Sequence, residues 1–447
     1  MRLLLVVHQF LPRHVTGTEQ YVRSVARGLQ DRGHELTVLA FEPLIQHEAP
    51  GRLWFARDEV CEGIRVRRIA VHPDEASERV LGDFDNPLAA ILLRRLLDER
   101  TFDLVHVFHP RMHGLAALEE PRRRGIPVVV HLMDFWFLCP NFMLLRRDGA
   151  LCSGPPDGGY GCVGCIDPAL ARAVEATGLA PEVKRLAAAA PAHATPAHTA
   201  LRKAWALTAR LPRTFGALAR ADAVVAPSRS LRALFEGAGF PAGRIEHMPY
   251  GVDETRLAGY TPHEPTDLLV IGYVGSITPH KGLHVLLEAV HRLREAPLAV
   301  RVHGHVGTDP EYGKRIERLA ARDRRVTLCG AFAPLELGKR LAECDLLVVP
   351  SLWYENTPFT LLEALAVGMP VLASDLGGIR EVVVPGQNGG LFAAGDAAAL
   401  AELLLQHVPR AARRRGEGVR PGSFAANLDA LVALYERVLA ARAVASR

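Results

Sequence analysis

Glu355 and Glu363 are separated by seven residues in the segment PSLWYENTPFTLLEALAVGMPV, residues 350–371. Residues 358–369 are almost wholly apolar apart from Thr360 and Glu363. An exposed helix would show a polar face, and this one has none. A carboxylate in such a setting costs free energy unless it meets a donor. Ribose hydroxyls are suitable donors, and a neighbouring arginine is the structural alternative. Thr357 is a good N-cap and Pro358 fits the first helical position, while Gly368 and Pro370 stop the helix. The amides of Phe359 and Thr360, with that of Thr357, then point at any anion drawn to the positive end of the helix. Asn356 closes the loop before them, so Asn356, Thr357, Phe359, Thr360 and Glu363 form one candidate ligand-binding group.

A second group lies in GYVGSITPHKG, residues 272–282. Gly275 ends an apolar run and lets backbone approach a phosphate, with Ser276 after it. Lys281 supplies a point charge, and His280 is a possible second cation. Near the start, Gly17 and Thr18 precede Glu19 in TGTEQYVRSVARGLQDRGHELTVLA, where Glu19 either binds a ligand or caps a helix. In HLMDFWFLCP, residues 131–140, His131 and Asp134 follow a strand and are candidates for a sugar site. His106 alternates with apolar residues and reads as a core histidine, whereas His109 falls just past its strand and could meet an acceptor.

Cys139, Cys152, Cys162 and Cys165 cluster in a Gly/Pro-rich stretch. Cys-x2-Cys is half of a zinc spacing, and four thiolates would complete a structural site; free reduced thiols are the alternative. Cys61, Cys329 and Cys344 read as small core residues.

The elements that must position these groups are short apolar strands alternating with helical patterns. One series covers residues 3–7, 36–40, 104–108, 128–130 and 223–226; a second covers 268–274, 298–302, 326–328, 346–349 and 370–373. Such runs are buried on both faces, which means parallel sheet covered by helices. Two doubly wound α/β domains follow, with ligands at the carboxyl ends of their strands and a cleft between them. The break falls within 252–267, giving domains 1–255 and 256–408. An Arg-rich crossing segment, 409–420, and a terminal helix over 424–444 then return towards the first domain. Residues 166–220 interrupt the pattern with eight Lys/Arg against three Asp/Glu, either a solvated helical excursion or a surface for anionic lipid.

At 447 residues the chain is too long for one core. Its 49% hydrophobic and 23% charged residues exclude a disordered chain, and a net charge of +4 does not point to nucleic acid. No apolar run approaches the roughly 20 residues of a membrane span. The apolar start reads as a first strand rather than a signal peptide, so a cytoplasmic setting with reduced cysteines is expected.

In these segments the chain resembles the family 4 retaining glycosyltransferases of the glycosyltransferase-B fold. Their Glu-x7-Glu hallmark is matched by Glu355 and Glu363, and flanking residues agree as well. The resemblance implies that Glu363 grips the ribose of a nucleoside diphosphate sugar and that Glu355 lies against the donor sugar. It also implies that Lys281 and helix amides hold the diphosphate and replace a divalent metal. No Asp-x-Asp motif follows a predicted strand. Many relatives carry Arg where Ser276 stands, and a His where Met133 stands. The matches also include residues 16–40 and APSRSLRALFEGAGFPAGRIEHMPYGVD, residues 226–253.

The function implied is transfer of a sugar, with retention, to a saccharide or lipid-linked acceptor in cell-surface polysaccharide or glycolipid assembly. That assembly is expected at the inner face of a membrane. A nucleotide-sugar epimerase, or an inactive nucleotide-sugar-binding subunit of an assembly complex, are the alternatives.

Overall fold

The computed structural model describes residues 1–43, 54–71, 83–189, 199–264, 266–307, 309–409 and 420–445. The chain forms two compact units. The first comprises Met1–Pro227, Arg232–Met248 and Leu428–Arg447; the second comprises Ser228–Leu231 and Pro249–Asn427.

Strands of the first unit are β1 (Arg2–Val7), β2 (Glu35–Pro43), β3 (Trp54–Cys61), β4 (Ile64–Val71), β5 (Leu104–Val107), β6 (Val128–His131), β7 (Ala223–Ala226) and β8 (Ile245–His247). They form one sheet in the order β3-β4-β2-β1-β5-β6-β7-β8. All its pairings are parallel except β3 with β4. Leu3, Leu4, Leu5, Val6 and Val7 are fully buried at its centre, each burial stabilising by about 1.5–3 kcal/mol. The second unit holds β9 (Leu269–Val274), β10 (Leu298–His303), β11 (Val326–Gly330), β12 (Leu346–Val349), β13 (Val371–Ser374) and β14 (Gly389–Phe392). Their order is β11-β10-β9-β12-β13-β14, and every pairing is parallel. Both units are thus doubly wound α/β domains, as the apolar runs require.

Capping sets where the helices begin. Asn86 accepts from Ala89 N–H ahead of Pro87–Glu99, Asp309 from Tyr312 N–H ahead of Pro310–Ala320, and Asp396 from two amides ahead of Ala397–His407. A Pro at the first position helps the first two.

The structure departs from the sequence expectations in three places. The β3–β4 hairpin was not anticipated, because charged residues alternate through it. Arg67 pairs with Asp58 at 2.7 Å and Glu99 at 2.8 Å, and Arg68 is 2% exposed beside Glu59. β11 is largely exposed rather than buried on both faces, and with it Cys329, which is not a core residue; Cys344 is buried and Cys61 half-buried. The chain divides after Met248 rather than within 252–267. The terminal helix, Phe424–Ala445, is joined to the first unit by Tyr435 OH at 2.6 Å from His106 Nδ1 and by Arg442 to Asp222 at 2.6 Å. The core reading of His106 agrees with its full burial. The Arg-rich segment 410–419 lies outside the described residues.

The excursion over 166–220 is helical where described. Its cations are mostly engaged: Lys184 with Asp157, Lys203 with Asp167, Arg213 with Asp85, Arg220 with Glu119. Arg210 is 2% exposed near Asp83 and over the Trp136 ring. The surface is therefore less basic than the composition implies. Among the described residues no helix is long and apolar enough to cross a membrane.

Candidate active site

In the second unit, β12 ends at Val349 and a loop leads to the helix Phe359–Ala366. Pro358, not Thr357, is the N-cap, with φ −63° and ψ 130°. Thr357 is buried and its hydroxyl donates instead to the Asn356 carbonyl. No side chain caps the first turn, where the Leu361 and Leu362 amides donate to the Pro358 carbonyl at 3.1 and 3.2 Å. Leu361, Leu362, Glu363, Ala364 and Leu365 are all buried.

Glu363 is 2% exposed. Its Oε1 lies 2.7 Å from Arg256 Nη1, while its buried Oε2 has no hydrogen-bond partner among the described residues. The arginine alternative is met at one oxygen, and the other lacks a donor among the described residues. Burial raises the carboxyl pKa to about 7, against the pull of Arg256 and with a further push from Asp253.

Glu355 is 5% exposed. Its Oε1 accepts from Lys281 Nζ at 2.6 Å, Ser351 Oγ at 2.6 Å and Trp353 Nε1 at 2.9 Å. Burial works to raise its pKa, but the Lys281 charge and the three donors outweigh it and hold the group below the usual carboxylate value. Glu355 is thus an anion at neutral pH, suited to stabilising positive charge rather than delivering a proton.

Two glycine contacts fix this loop. Gly282 has φ +68°, and a Cβ there would fall 1.9 Å from the Pro350 carbonyl oxygen. Gly377 has φ +50°, and its Cβ would lie 2.4 Å from the Glu355 carbonyl oxygen, which also accepts from Gly378 N–H at 2.7 Å. Asn356 turns its Oδ1 to the Ser228 hydroxyl at 2.9 Å, a structural contact within the same unit.

At the end of β9, Gly275 N–H donates to the His303 carbonyl at 3.0 Å, so that amide is already engaged. The Ser276 carbonyl accepts from Tyr273 OH at 2.9 Å. His280 cannot be the second cation: burial, then Lys281, lowers its pKa to about 4, and it is neutral at pH 7. It packs edge-on to Trp353 at 5.0 Å. Lys281 lies 5.2 Å over the same ring.

In the first unit, the helix Gly17–Asp31 starts at Gly17, with Thr18 partly exposed in its first turn. Glu19 is fully buried, accepts from the Thr16 hydroxyl and lies 3.5 Å from His8 Nε2, and no side chain caps this helix. The His131 ring is also fully buried, stacked on Phe108 at 5.8 Å and edge-on to Tyr21 at 5.4 Å, and burial takes its pKa to about 3. This corrects its expected place at the sugar site: the strand's last side chain points into the core. His109 instead meets Asp134, Nε2 to Oδ2 at 2.7 Å. Because Arg111 N–H donates to His109 Nδ1 at 3.2 Å, the proton sits on Nε2 and is donated to the carboxylate.

Cys139, Cys152, Cys162 and Cys165 are free thiols, and no group of three or more His, Cys, Asp or Glu among the described residues is arranged to hold a metal ion. Burial, aided by the other three thiols, raises the Cys162 pKa to about 12.

Sequence reasoning missed Arg256, Ser351, Trp353 and the His109–Asp134 pair. Ser351 and Trp353 were legible as donors flanking Glu355. Arg256 had no signal beyond its charge.

The chain belongs to the glycosyltransferases: residues 269–408 match the glycosyl transferases group 1 family and residues 16–251 the glycosyl transferase 4-like domain. A protein of Escherichia coli (strain K12) assigned as a colanic acid biosynthesis glycosyltransferase is 33% identical over 174 residues, 37% of this chain and 42% of that protein. The chain therefore spans less than half of that relative's length. A GDP-mannose-dependent alpha-mannosyltransferase of Mycolicibacterium smegmatis is 26% identical over 99% of both chains. The structure of sucrose-phosphate synthase from Thermosynechococcus elongatus superposes with a TM-score of 0.69 at 19% identity, covering 98% of this chain and 99% of that one, and shows the same glycosyltransferase-B fold.

Proposed function

We propose that this glycosyltransferase moves a sugar from a nucleoside diphosphate sugar to a hydroxyl acceptor with retention of anomeric configuration. The observation that carries the reading is the buried, unpartnered Oε2 of Glu363, aimed from an otherwise apolar helix whose first turn lacks a cap. A ribose hydroxyl satisfies that oxygen, and the diphosphate then lies near the start of that helix and Lys281. Glu355, ionised and held by three donors, faces the positive charge that develops as the sugar leaves. Lys281 is shared between Glu355 and the departing diphosphate, so no divalent ion is needed. The acceptor is a saccharide or lipid-linked saccharide, and the setting is polysaccharide or glycolipid assembly at a membrane's inner face. The name of the colanic acid biosynthesis relative supports the polysaccharide part of that setting. A second reading, a nucleotide-sugar-binding subunit with impaired catalysis, draws on Ser276 and the neutral His280, which leave Lys281 to meet the diphosphate without their help.

The test is calorimetry against UDP, GDP, ADP and dTDP, followed by donor hydrolysis with the corresponding sugars in the presence of EDTA. The anomer first released is read by NMR. Retention with EDTA present supports the proposal; inversion, or turnover only with added divalent ion, refutes it. Glu363→Gln should weaken nucleotide binding by about 1.5–3 kcal/mol, the worth of a charged hydrogen bond.

A further inference from the structure

We propose that Arg256 is the positioning residue for nucleotide recognition, holding the Glu363 carboxylate by one oxygen and leaving the other oxygen for a ribose hydroxyl. This rests on the reading of Glu363 given above and assigns a part to a residue outside the Glu-x7-Glu pair.

Arg256 sits in the short turn Glu254–Leu257. Asp253 caps that turn, accepting from Thr255 N–H at 3.1 Å and Thr255 Oγ1 at 2.6 Å. The turn has little freedom: a Cβ on Gly338 would lie 2.5 Å from the Leu257 carbonyl oxygen. Just before it, Tyr250 packs on Phe359, ring centroids 4.5 Å apart, at the start of the Glu363 helix. The guanidinium is therefore presented by a fixed backbone, with its side chain 13% exposed and that of Glu363 3% exposed.

The pair leaves two polar atoms unmet. Glu363 Oε2 and Arg256 Nε are both buried without a hydrogen bond. A site meant only to neutralise one charge with another would be expected to engage the guanidinium fork through both carboxylate oxygens. Here one oxygen is committed and one is open, which is the arrangement a neutral donor group on a ligand completes. The charged groups that act on Glu363 are Arg256, which favours the carboxylate, and Asp253, which opposes it. With burial the balance puts the group near pH 7. A carboxylate accepts a hydroxyl's hydrogen bond more strongly than a neutral acid does. Nucleotide affinity should therefore rise with pH through that value and level off above it. Without Arg256, burial and Asp253 act unopposed, and the rise moves to higher pH.

The experiment is calorimetry of the full chain with whichever of UDP, GDP, ADP and dTDP the wild type binds most tightly, from pH 6 to 9.5. Each affinity is divided by that of Glu363→Gln at the same pH, which removes the titration of the ligand's own phosphate. Arg256→Ala should lose at least tenfold at pH 7 and regain most of it above pH 9. Arg256→Gln, which fills the same space, should behave alike, and Arg256→Lys should keep most of the wild-type profile. A loss of equal size at every pH in both neutral variants means a merely structural role and overturns the proposal. So does a wild-type profile in Arg256→Ala. If Glu363→Gln itself binds as tightly as wild type, it is the nucleotide site that has been misread.

Discussion

Replacing Glu355 by Gln isolates the charge of the buried cluster. Deleting one partner of a buried ion pair costs about 3–5 kcal/mol. Gln retains an oxygen at the Oε1 position, so the donors on Lys281, Ser351 and Trp353 still have an acceptor. Only the anion is lost, and about 1–3 kcal/mol is the expected destabilisation at pH 7. For a unit of roughly 180 residues this lowers its melting temperature by about 3–10 °C.

The pH dependence has a definite sign. The folded pKa of Glu355 is depressed, so its contribution is complete above the unfolded value and fades as pH falls through the folded one. The gap between wild type and Glu355→Gln should hold from pH 8 to about 5 and close below about pH 4. Differential scanning calorimetry across that range reads it directly. Donor turnover should fall about 10²–10³-fold in the same variant, because prepositioned charge is usually the largest single contribution to rate. Equal melting temperatures at pH 7, or a gap that widens in acid, would refute the account of this cluster.

Two further outcomes follow from the geometry. Gly282→Ala meets both a left-handed backbone and the Pro350 carbonyl; it should cost about 2–4 kcal/mol in urea unfolding and weaken nucleotide binding by displacing Lys281. His131→Phe should leave kcat/KM within about threefold of wild type, since the ring is a core aromatic; a loss beyond tenfold would restore it to the site.

The amino-acid sequence determined the alternation of buried strands and helices in both halves, and with it the doubly wound class. Strand ends at residues 226 and 349 were readable to the residue, because β7 and β12 are apolar and buried throughout. The seven-residue spacing of Glu355 and Glu363, and the apolar helix around the second, were equally legible, since burial of a carboxylate is a property of its neighbours along the chain. Side-chain direction at strand ends was not. His131 ends β6 and His109 lies just past β5, yet one turns into the core and the other to Asp134, a choice made by packing across neighbouring strands. The charge state of His280 was likewise decided by burial that no local pattern encodes. Whether the cysteines around the Cys-x2-Cys spacing hold a metal depends on how the loop folds, and among the described residues no metal-holding group is found. Only tertiary structure could bring Arg256 to Glu363 across more than a hundred residues, for an ion pair is set by distance in space and its burial by everything packed around it.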